Sequence, residues 1–403
     1  MLSVSEAQQI VLAHARPLPP AEIPLTPAAL GLVLAEDVAS DLDMPPFDKA
    51  MMDGFAVRAA DVPEGRAGLA IVEEVLAGQT PRVAVRAGQC ARIMTGAVMP
   101  DGADAVVMVE QTRLLPEDRV EIDDRPVQAG QNVLPRGREM RRGQTVLAAG
   151  AVLRPQEVGL LATVGRTAAR VVPAPEVAVL STGDELVEAA RVPGPGQIRN
   201  SNGPMLAAQV CRAGALPRYL GVAPDQLESL RDLLAQGLRS PVLVLSGGVS
   251  AGKRDLVPEV LGELGVQPHF HKVAMKPGKP VFFGSREANL VFGLPGNPVS
   301  ALVCFELFVR PALRRLQGHA EVLPRVVEAA LAEDFSYRTD RPTYHPARLE
   351  DGAHGWAVRP VPWFGSPDLR ALTQANAFVV LPVGDHRHRA GERFPVLRVE
   401  EVT

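Results

Sequence analysis

The stretch PVLVLSGGVSAGKRD, residues 241–255, carries the pattern that decides the fold. The apolar run VLVL predicts a buried strand, and the glycine-rich turn after it leads into the helical pattern RDLVPEVLGELG. The same order occurs at EVAVLSTGDEL, residues 176–186, and ahead of the helical pattern PVSALVCFELFVRPALRRL, residues 298–316. Strands that alternate with helices of this length predict a doubly wound, mostly parallel sheet across roughly residues 172–320.

Outside this α/β region the sequence pattern changes. Residues 45–141 contain short alternating apolar runs with glycine turns, such as DGFAVRAADV and CARIMTGAVMP, and predict a mostly β domain. Residues 324–403 again indicate short strands and include a predicted hairpin. Residues 1–44 begin with a helix, and residues 142–171 hold a short helix followed by a linker. The chain is therefore expected to be multidomain.

Composition and charge exclude several classes of protein. The chain has 403 residues, 46% hydrophobic and 22% charged residues, and a net charge of −4. That balance argues against a general nucleic-acid binder and against a basic membrane patch. No apolar run approaches about 18 residues and no signal peptide is evident, so we expect a cytoplasmic protein. Cys90, Cys211 and Cys304 match no metal or redox spacing and are expected to be buried free thiols.

Three loops of unusual composition follow predicted strands. Because parallel strands end at one edge of a sheet, the loops STGDEL, SGGVSAGKRD and LPGNPVS are expected to line one cleft. Each loop could instead be an ordinary tight turn. Small residues allow close approach of the backbone to a ligand, and prolines stiffen the loop. The substrate-binding residues expected on these loops are Ser246, Gly247, Gly248, Ser250, Pro295, Gly296, Asn297 and Pro298.

The segment from Gly247 to Lys253 fits the spacing G-x-x-x-x-G-K of a P-loop. A P-loop requires Ser or Thr at the next position to reach a magnesium ion, and Arg254 stands there instead. A P-loop ATPase is therefore not expected. Backbone N–H groups at the start of the following helix still favour an anion.

Lysine is rare in this chain and clusters near one turn. Of five lysines, Lys272, Lys276 and Lys279 flank Pro277-Gly278, where the chain must bend. An ammonium group is a compact point charge suited to phosphate or another oxyanion. The three lysines are therefore candidate anion-binding residues, although a solvated loop would look the same.

Carboxylates are frequent on the same loops and in the β-rich region. Singly, each could be a helix cap or a turn former. Collected beside lysines, they could hold a hydrated Mg²⁺, which favours a few carboxylates together with substrate phosphates. The acidic residues in question are Asp184, Glu185, Asp225, Asp255, Asp48, Asp53 and Glu139.

Taken together, the motifs resemble one protein family. The matching stretches are PPFDKAMMDGFAV, RIMTGAVMPDGADAVVMVE, STGDEL, LSGGVSAGKRD, MKPGKP and GLPGNPVSA. In this order they resemble the bacterial molybdopterin molybdenumtransferases of molybdenum-cofactor biosynthesis, and the homologous C-terminal domain of gephyrin. The resemblance runs from near residue 1 to near residue 400.

The resemblance implies a homodimer of elongated subunits with four domains. The first is an extended helical and linker domain formed by residues 1–44 and 142–171, and the second is a β-rich insertion domain at 45–141. The third is the α/β molybdopterin-binding domain at 172–323, and the fourth is a C-terminal β-barrel at 324–403.

The resemblance also implies a reaction, in which adenylylated molybdopterin and molybdate give molybdenum cofactor and AMP with the help of Mg²⁺. Transient contact with the molybdopterin-adenylylating enzyme and with molybdoenzymes is expected, whereas nucleic acid and membrane are not. Two alternatives remain at this point, a molybdopterin adenylyltransferase and a non-catalytic, peptide-binding scaffold like the gephyrin module.

Site residues follow from the resemblance position by position. Catalytic roles fall on Asp255, Asp225, Glu185, Asp53, Thr95 and Glu139, with Glu185, Asp225 and Asp255 as the metal ligands. Of these, Asp53 and Thr95 would face the cleft of the partner subunit. Substrate binding falls on Lys272, Lys276, Lys279, Ser366 and the loop residues named above. This sequence departs from the family at Glu139, which stands in place of Asp, and where a family arginine is replaced by Pro346 or shifted to Arg348.

Overall fold

The structure, a computed structural model, describes residues 1–224, 226–248, 256–352 and 355–399. Its contacts divide the chain into two compact units. The first unit comprises Met1–Ala35, Val152–Arg154 and Arg170–Thr403, and the second comprises Glu36–Ala151 and Pro155–Ala169. The division into four domains stays a prediction.

The α-helices of the described residues are α1 (Val4–His14), α2 (Pro155–Thr163), α3 (Asn202–Arg212), α4 (Leu227–Gly237), α5 (Leu256–Glu263), α6 (Pro298–Cys304), α7 (Arg310–Leu316) and α8 (Leu369–Leu372). The strands are β1 (Ala21–Pro24), β2 (Val33–Leu34), β3 (Val38–Ala39), β4 (Lys49–Ala50), β5 (Gly54–Val57), β6 (Arg66–Val75), β7 (Gln89–Ile93), β8 (Ala105–Met108), β9 (Thr112–Leu115), β10 (Arg119–Asp123), β11 (Val133–Leu134), β12 (Thr145–Leu147), β13 (Ala168–Val172), β14 (Glu176–Thr182), β15 (Leu186–Val187), β16 (Ile198–Arg199), β17 (Leu216–Ala223), β18 (Val242–Ser246), β19 (Gln267–Lys272), β20 (Pro280–Arg286), β21 (Asn289–Leu294), β22 (Val326–Leu331), β23 (Phe335–Thr339), β24 (Thr343–Gly352), β25 (Gly355–Pro360), β26 (Ala377–Leu381), β27 (Gly384–His388) and β28 (Arg393–Arg398).

The first unit is built on a six-stranded mixed sheet with the order β17-β14-β18-β21-β20-β19. Pairs among β17, β14, β18 and β21 are parallel, whereas β20 and β19 continue the sheet antiparallel. The doubly wound, mostly parallel α/β sheet is therefore confirmed, with an antiparallel hairpin at one edge. Such a sheet places the carboxyl ends of its parallel strands side by side, where ligands bind.

Both faces of this sheet are covered because successive strand residues point to opposite sides. In β14, Val177 and Val179 belong to a core shared with residues of α1, α3, α6 and α7. Their neighbours Ala178 and Leu180 belong to a second core with residues of α4 and α5. This explains why β14, β18 and β21 are apolar along most of their length, without polar alternation.

Helix α3 shows how local signals set the boundaries of the elements around the sheet. Leu206 and Val210 lie on its buried face, one turn apart. The helix stops at Gly214, which adopts φ +72° and donates its N–H to the carbonyl of Cys211 at 2.9 Å. Glycine suits this helix end because it takes the left-handed conformation at little cost.

A C-terminal closed barrel in the first unit consists of β22-β25-β24-β26-β28, so the predicted β-barrel is confirmed. Strands β23 and β27 form a separate antiparallel pair. The barrel meets the α/β region at a parallel bridge between Lys276 and Thr343. The N-H of Lys276 donates to the carbonyl of Pro342 at 2.9 Å, and that of Tyr344 to the carbonyl of Lys276 at 2.8 Å. This bridge places the lysine segment beside the start of β24.

The second unit is β-rich, as predicted for the insertion. Its main sheet has the order β8-β5-β7-β6-β10-β9, and the pairs β11-β4 and β12-β3 lie outside that sheet. Its core contains Phe55, Val107, Val120 and Ile122. Buried positions of β5, β8 and β10 supply this core, which accounts for the short apolar runs of the segment.

Two sequence expectations need correction. The helical pattern 298–316 is not one regular helix, because a π-helical turn at Phe305–Val309 separates α6 from α7. Among the thiols, Cys90 and Cys304 are buried, but Cys211 is exposed. Cys211 lies on α3 just after the buried Val210, and the helical turn of 100° per residue carries it out of the core.

Candidate functional site

A cleft of about 630 Å³ lies at the carboxyl edge of the parallel strands. The loops after β14, β18 and β21 all contribute to it, together with the start of α3. Its lining includes the predicted residues Glu185, Ser246, Gly247, Gly248, Pro295, Gly296, Asn297 and Pro298. The structure therefore brings the three loops together as the parallel topology requires.

The glycine pair after β18 is required by close packing against the end of β14. Gly247 has φ +90° and Gly248 has φ +63°, a region that side chains rarely adopt. A Cβ atom on Gly247 would lie 2.5 Å from the carbonyl oxygen of Thr182, and one on Gly248 would lie 2.6 Å from the Thr182 hydroxyl. Only glycine lets this turn cross so close to the neighbouring strand.

Asn202 at the start of α3 joins two of the loops. Its Nδ2 group donates to Ser246 Oγ at 2.7 Å and to the carbonyl oxygen of Gly296 at 2.7 Å. These bonds fix the end of β18 relative to the loop after β21. Sequence reasoning missed Asn202, although polar residues that open a helix at this sheet edge are a usable signal.

Asn200, two residues earlier, is buried in a hydrogen-bond network of its own. Its Oδ1 accepts from Ser181 Oγ at 3.1 Å and from the N–H of Gly203 at 3.0 Å, and its Nδ2 donates to Tyr219 Oη at 2.8 Å. Burial, with the nearby charge of Glu188, raises the pKa of Tyr219 to about 12. The Tyr219 phenol therefore stays protonated and fixes the start of α3.

A smaller basic pocket of about 310 Å³ lies next to the cleft. It is lined by Lys276, Lys279 and Arg341, together with Trp363 and Ser366. Pro280, Pro295 and Asn297 line both hollows. Three cationic side chains around one hollow are suited to an oxyanion.

Arg341 was missed by sequence reasoning, which considered Pro346 and Arg348 instead. Pro346 is buried within β24, and Arg348 is exposed and pairs with Glu350 at 2.7 Å. Arg341 reaches the pocket because the Lys276–Thr343 bridge brings its segment there. It also pairs with Asp340 at 3.2 Å, and this hydrogen bond lowers the pKa of the Asp340 carboxyl.

Lys272 is placed differently from the other two lysines. It is exposed at the end of β19 and does not line the cleft or the basic pocket. The turn at Pro277-Gly278 therefore brings Lys276 and Lys279 together without Lys272. A substrate-binding role for Lys272 stays a prediction.

Ser366 links the barrel region to the wall shared by the two hollows. Its Oγ accepts from Asn297 Nδ2 at 2.9 Å, and its carbonyl accepts from the N–H of Val299 at 3.1 Å. The loop after β21 is thereby held from both sides, by Asn202 and by Ser366. A loop held in this way binds a ligand with little ordering cost.

The acidic residues predicted for the metal are only partly described. Glu185 is exposed at the cleft, and its carboxylate folds back over Gly183, which has φ +142°. A Cβ on Gly183 would lie 2.5 Å from Glu185 Oε2, so glycine makes this carboxylate position possible. Asp225 and Asp255, and the substrate-binding candidate Ser250, lie outside the described residues.

In the second unit, the Asp53 carboxylate is satisfied locally. Its Oδ1 accepts from both the N–H and the hydroxyl of Thr95, each at 2.7 Å. The backbone hydrogen bond is the larger cause of a lowered pKa for Asp53, which therefore stays ionised. Glu139 pairs with Lys49 at 3.3 Å on the surface of the same unit.

The fold and the site define a class: a multidomain protein with a ligand cleft on an α/β sheet and a cationic hollow beside it. Three family regions match the sequence in order. Residues 2–165 match the "MoeA N-terminal region (domain I and II)", residues 178–315 the "Probable molybdopterin binding domain", and residues 328–399 the "MoeA C-terminal region (domain IV)".

Relatives and solved structures agree along the whole chain. A molybdopterin molybdenumtransferase of Staphylococcus aureus (strain Mu50 / ATCC 700699) is 34% identical over 404 residues, covering 99% of this chain and 96% of its own. One of Staphylococcus epidermidis is 35% identical over 377 residues, covering 92% of this chain and 90% of its own. A molybdopterin biosynthesis MoeA protein from Pyrococcus horikoshii OT3 superposes with a TM-score of 0.83 at 30% identity, covering 99% of this chain and all of that one. This chain belongs to the MoeA family of molybdopterin molybdenumtransferases.

A search of the described residues for membrane spans found no helix both long and apolar enough to cross a bilayer.

Proposed function

We propose that this protein inserts molybdenum from molybdate into adenylylated molybdopterin, releasing AMP and molybdenum cofactor. Full-length similarity to proteins named for that transfer supports the proposal. The observation that carries it is the wall shared by the cleft and the basic pocket, formed by Pro280, Pro295 and Asn297. A phosphate-bearing ligand in the cleft would end beside an oxyanion in the basic pocket.

Each hollow has a separate task in this proposal. Adenylylated molybdopterin lies in the cleft, where Gly247 and Gly248 allow the backbone to approach it. Molybdate lies in the basic pocket, where Lys276, Lys279 and Arg341 supply positive charge. The enzyme accelerates the reaction mainly by holding both anions in place and neutralising their repulsion.

Mg²⁺ is the implied metal, and Glu185 suits it because Mg²⁺ prefers carboxylate oxygen together with substrate phosphates. Among the described residues no group of three acidic, histidine or cysteine side chains lies close enough to hold a metal. As the family resemblance implies, we assign the site to Glu185 with Asp225 and Asp255. When bound, Mg²⁺ would neutralise charge on the phosphoanhydride of the substrate.

The active form in this proposal is a cytoplasmic homodimer with composite sites. Asp53 and Thr95 of one subunit would complete the cleft of the other, as the family resemblance implies. The lowered pKa of Asp53 keeps it anionic for that role. The adenylyltransferase alternative is not favoured, because the matches include the β-rich and C-terminal regions as well as the α/β region. The scaffold alternative is not favoured, because the full-length relatives are named as molybdenumtransferases.

The test is a mixing experiment with two inactive variants. Glu185→Gln and Asp53→Asn, assayed separately with adenylylated molybdopterin and molybdate, should release little AMP. Co-expressed, they should recover about one quarter of wild-type activity, because half of the dimers are mixed and one of their two sites is intact. No recovery would exclude the composite site. A wild-type protein that released no AMP, or that adenylylated molybdopterin from ATP, would overturn the proposed function.

A further inference from the structure

Two buried oxygen atoms in the cleft wall have no hydrogen-bond partner among the described residues. They are Thr182 Oγ1 and Asn202 Oδ1, and the two residues are only 2% and 7% exposed. Both residues line the cleft. A buried polar atom without a partner costs free energy, so two such atoms at one site need an explanation.

The orientation of the Asn202 amide is fixed by its partners. The carbonyl oxygen of Gly296 can only accept a hydrogen bond, so the Asn202 group that faces it must be the NH₂ group. The bond to Ser246 Oγ holds the same NH₂ group from a second side. Asn202 Oδ1 is therefore left as an acceptor that cannot exchange places with the nitrogen.

Thr182 lies at the end of β14, packed against the turn of Gly247 and Gly248, and lines the same cleft as Asn202. A Cβ on Gly248 would come within 2.6 Å of the Thr182 hydroxyl oxygen. Gly247 and Gly248 place no side chain over this hydroxyl, and Thr182 itself lines the cleft. The hydroxyl can then donate or accept.

Neighbouring residues show that burial alone does not leave such atoms unpaired. Ser181 is adjacent to Thr182 and fully buried, yet its hydroxyl donates to Asn200 Oδ1 at 3.1 Å. Asn200 is as buried as Asn202, and both ends of its amide have partners. Asn200 also lines the cleft and is fully paired, so among the described lining residues the buried side-chain atoms without a partner are Thr182 Oγ1 and Asn202 Oδ1.

We propose that Thr182 and Asn202 form a subsite that recognises the hydrogen-bonding edge of a heterocycle. This inference rests on the proposed function and deepens it. Asn202 Oδ1 accepts from a ring or exocyclic N–H, and the Thr182 hydroxyl donates to a ring carbonyl or ring nitrogen. The amide edge of a pterin and the amino edge of an adenine both present this donor and acceptor pair. The subsite therefore selects for the ring, whereas the cations of the basic pocket select for charge.

The decisive variant is Thr182→Val, which removes the hydroxyl while keeping the shape of the side chain. Binding of molybdopterin and of AMP to the full-length protein is measured separately by anaerobic calorimetry, and stability by urea unfolding. We expect about three- to tenfold weaker binding of one of the two probes, as for the loss of one neutral hydrogen bond. Stability should be unchanged or higher, because the lost hydroxyl had no partner among the described residues. Thr182→Ser should restore binding.

Ser181→Ala is the matched control and should show the reverse result, with a lower urea midpoint and unchanged affinity for both probes. Weaker binding of molybdopterin alone identifies the pterin edge, and weaker binding of AMP alone identifies the adenine edge. Unchanged binding of both probes to Thr182→Val overturns the inference and leaves the proposed function standing. A wild-type protein that bound neither probe would refute the proposed function itself.

Discussion

The cleft and the basic pocket share a wall but are built from opposite chemistry. The cleft, about 630 Å³, is shaped by glycine turns, three asparagines and strand ends. The pocket, about 310 Å³, is shaped by Lys276, Lys279 and Arg341. The cleft leaves neutral polar atoms unpaired, whereas the pocket concentrates positive charge.

This difference shows how one protein can keep two anionic ligands apart. Neutral hydrogen-bonding groups select a ligand by the arrangement of its donors and acceptors. Ammonium and guanidinium groups attract any oxyanion of suitable size. The shared residues Pro295 and Asn297 make the two hollows neighbours without making them alike.

The largest effect is expected where the pocket floor meets the core. Gly278 has φ +103°, and a Cβ there would lie 2.5 Å from Cys304 Sγ. Gly278→Ala should cost about 2 to 4 kcal/mol in urea unfolding, from overpacking and backbone strain together. Gly196, with φ +75° and nothing within 4 Å of such a Cβ, is the matched control and should cost about 1 kcal/mol. Equal costs would mean that the pocket floor is not close-packed.

Acid should weaken the barrel behind the basic pocket. His345 is 7% exposed, and its ring centroid lies 5.3 Å from that of Trp363. Burial lowers the pKa of His345 from 6.5 to about 4. Above pH 6.5 the His345 ring is neutral in both the folded and the unfolded chain, so its contribution to the free energy of unfolding is fully present. Between pH 6.5 and about 4 only the unfolded chain takes up the proton, which removes about 3 kcal/mol at roughly 1.4 kcal/mol per pH unit.

The measurement is urea unfolding at pH 7 and at pH 4.5 for the wild type and for His345→Asn, which cannot titrate. The loss of stability between the two pH values should be smaller in the variant. An identical loss in both proteins would assign the acid sensitivity to other groups.

Replacing one cationic side chain of the basic pocket should weaken ligand binding there much more than in the cleft. Lys276→Ala should weaken molybdate binding by about 10- to 100-fold, as for the loss of a charge-assisted hydrogen bond. Affinity for AMP should change much less. Calorimetry with each anion gives both values.

Lys272→Ala is the matched control, since Lys272 is exposed at the end of β19. It should leave molybdate binding unchanged. Weaker binding in this variant would support the predicted substrate-binding role of Lys272 and would contradict the limits of the basic pocket given above.

The smallest effect on ligand binding should come from a change in the wall that the cleft and the basic pocket share. Ser366→Ala removes the acceptor of Asn297 Nδ2 and loosens a loop that lines both hollows. Binding of AMP and of molybdate should each weaken by about threefold, the lower end for one neutral hydrogen bond. Ser336→Ala, at an exposed position of β23, serves as the control and should leave both affinities unchanged. An effect on only one ligand would show that the two hollows do not depend on a common wall.

The residues predicted from sequence were those whose local pattern carries structural information. Glycine and proline mark tight and rigid turns wherever they occur, so the loops at 246–248 and 295–298 could be read directly. The proximity of Lys276 and Lys279 could be predicted from the bend at Pro277-Gly278 between them. Lys272 was grouped with them because it is near in sequence; it lies exposed at the end of β19 and lines neither hollow, so its substrate-binding role stays a prediction.

By itself, the sequence determined the α/β order, the β-rich insertion and the glycine and proline turns at the sheet edge. These depend on periodicity and turn chemistry over a few residues. Only the tertiary structure decided that Arg341 joins Lys276, and that Thr182 and Asn202 keep unpaired oxygens. The physical reason is that strand pairing between distant segments sets which side chains meet, and whether a buried atom has a partner depends on all the segments around it.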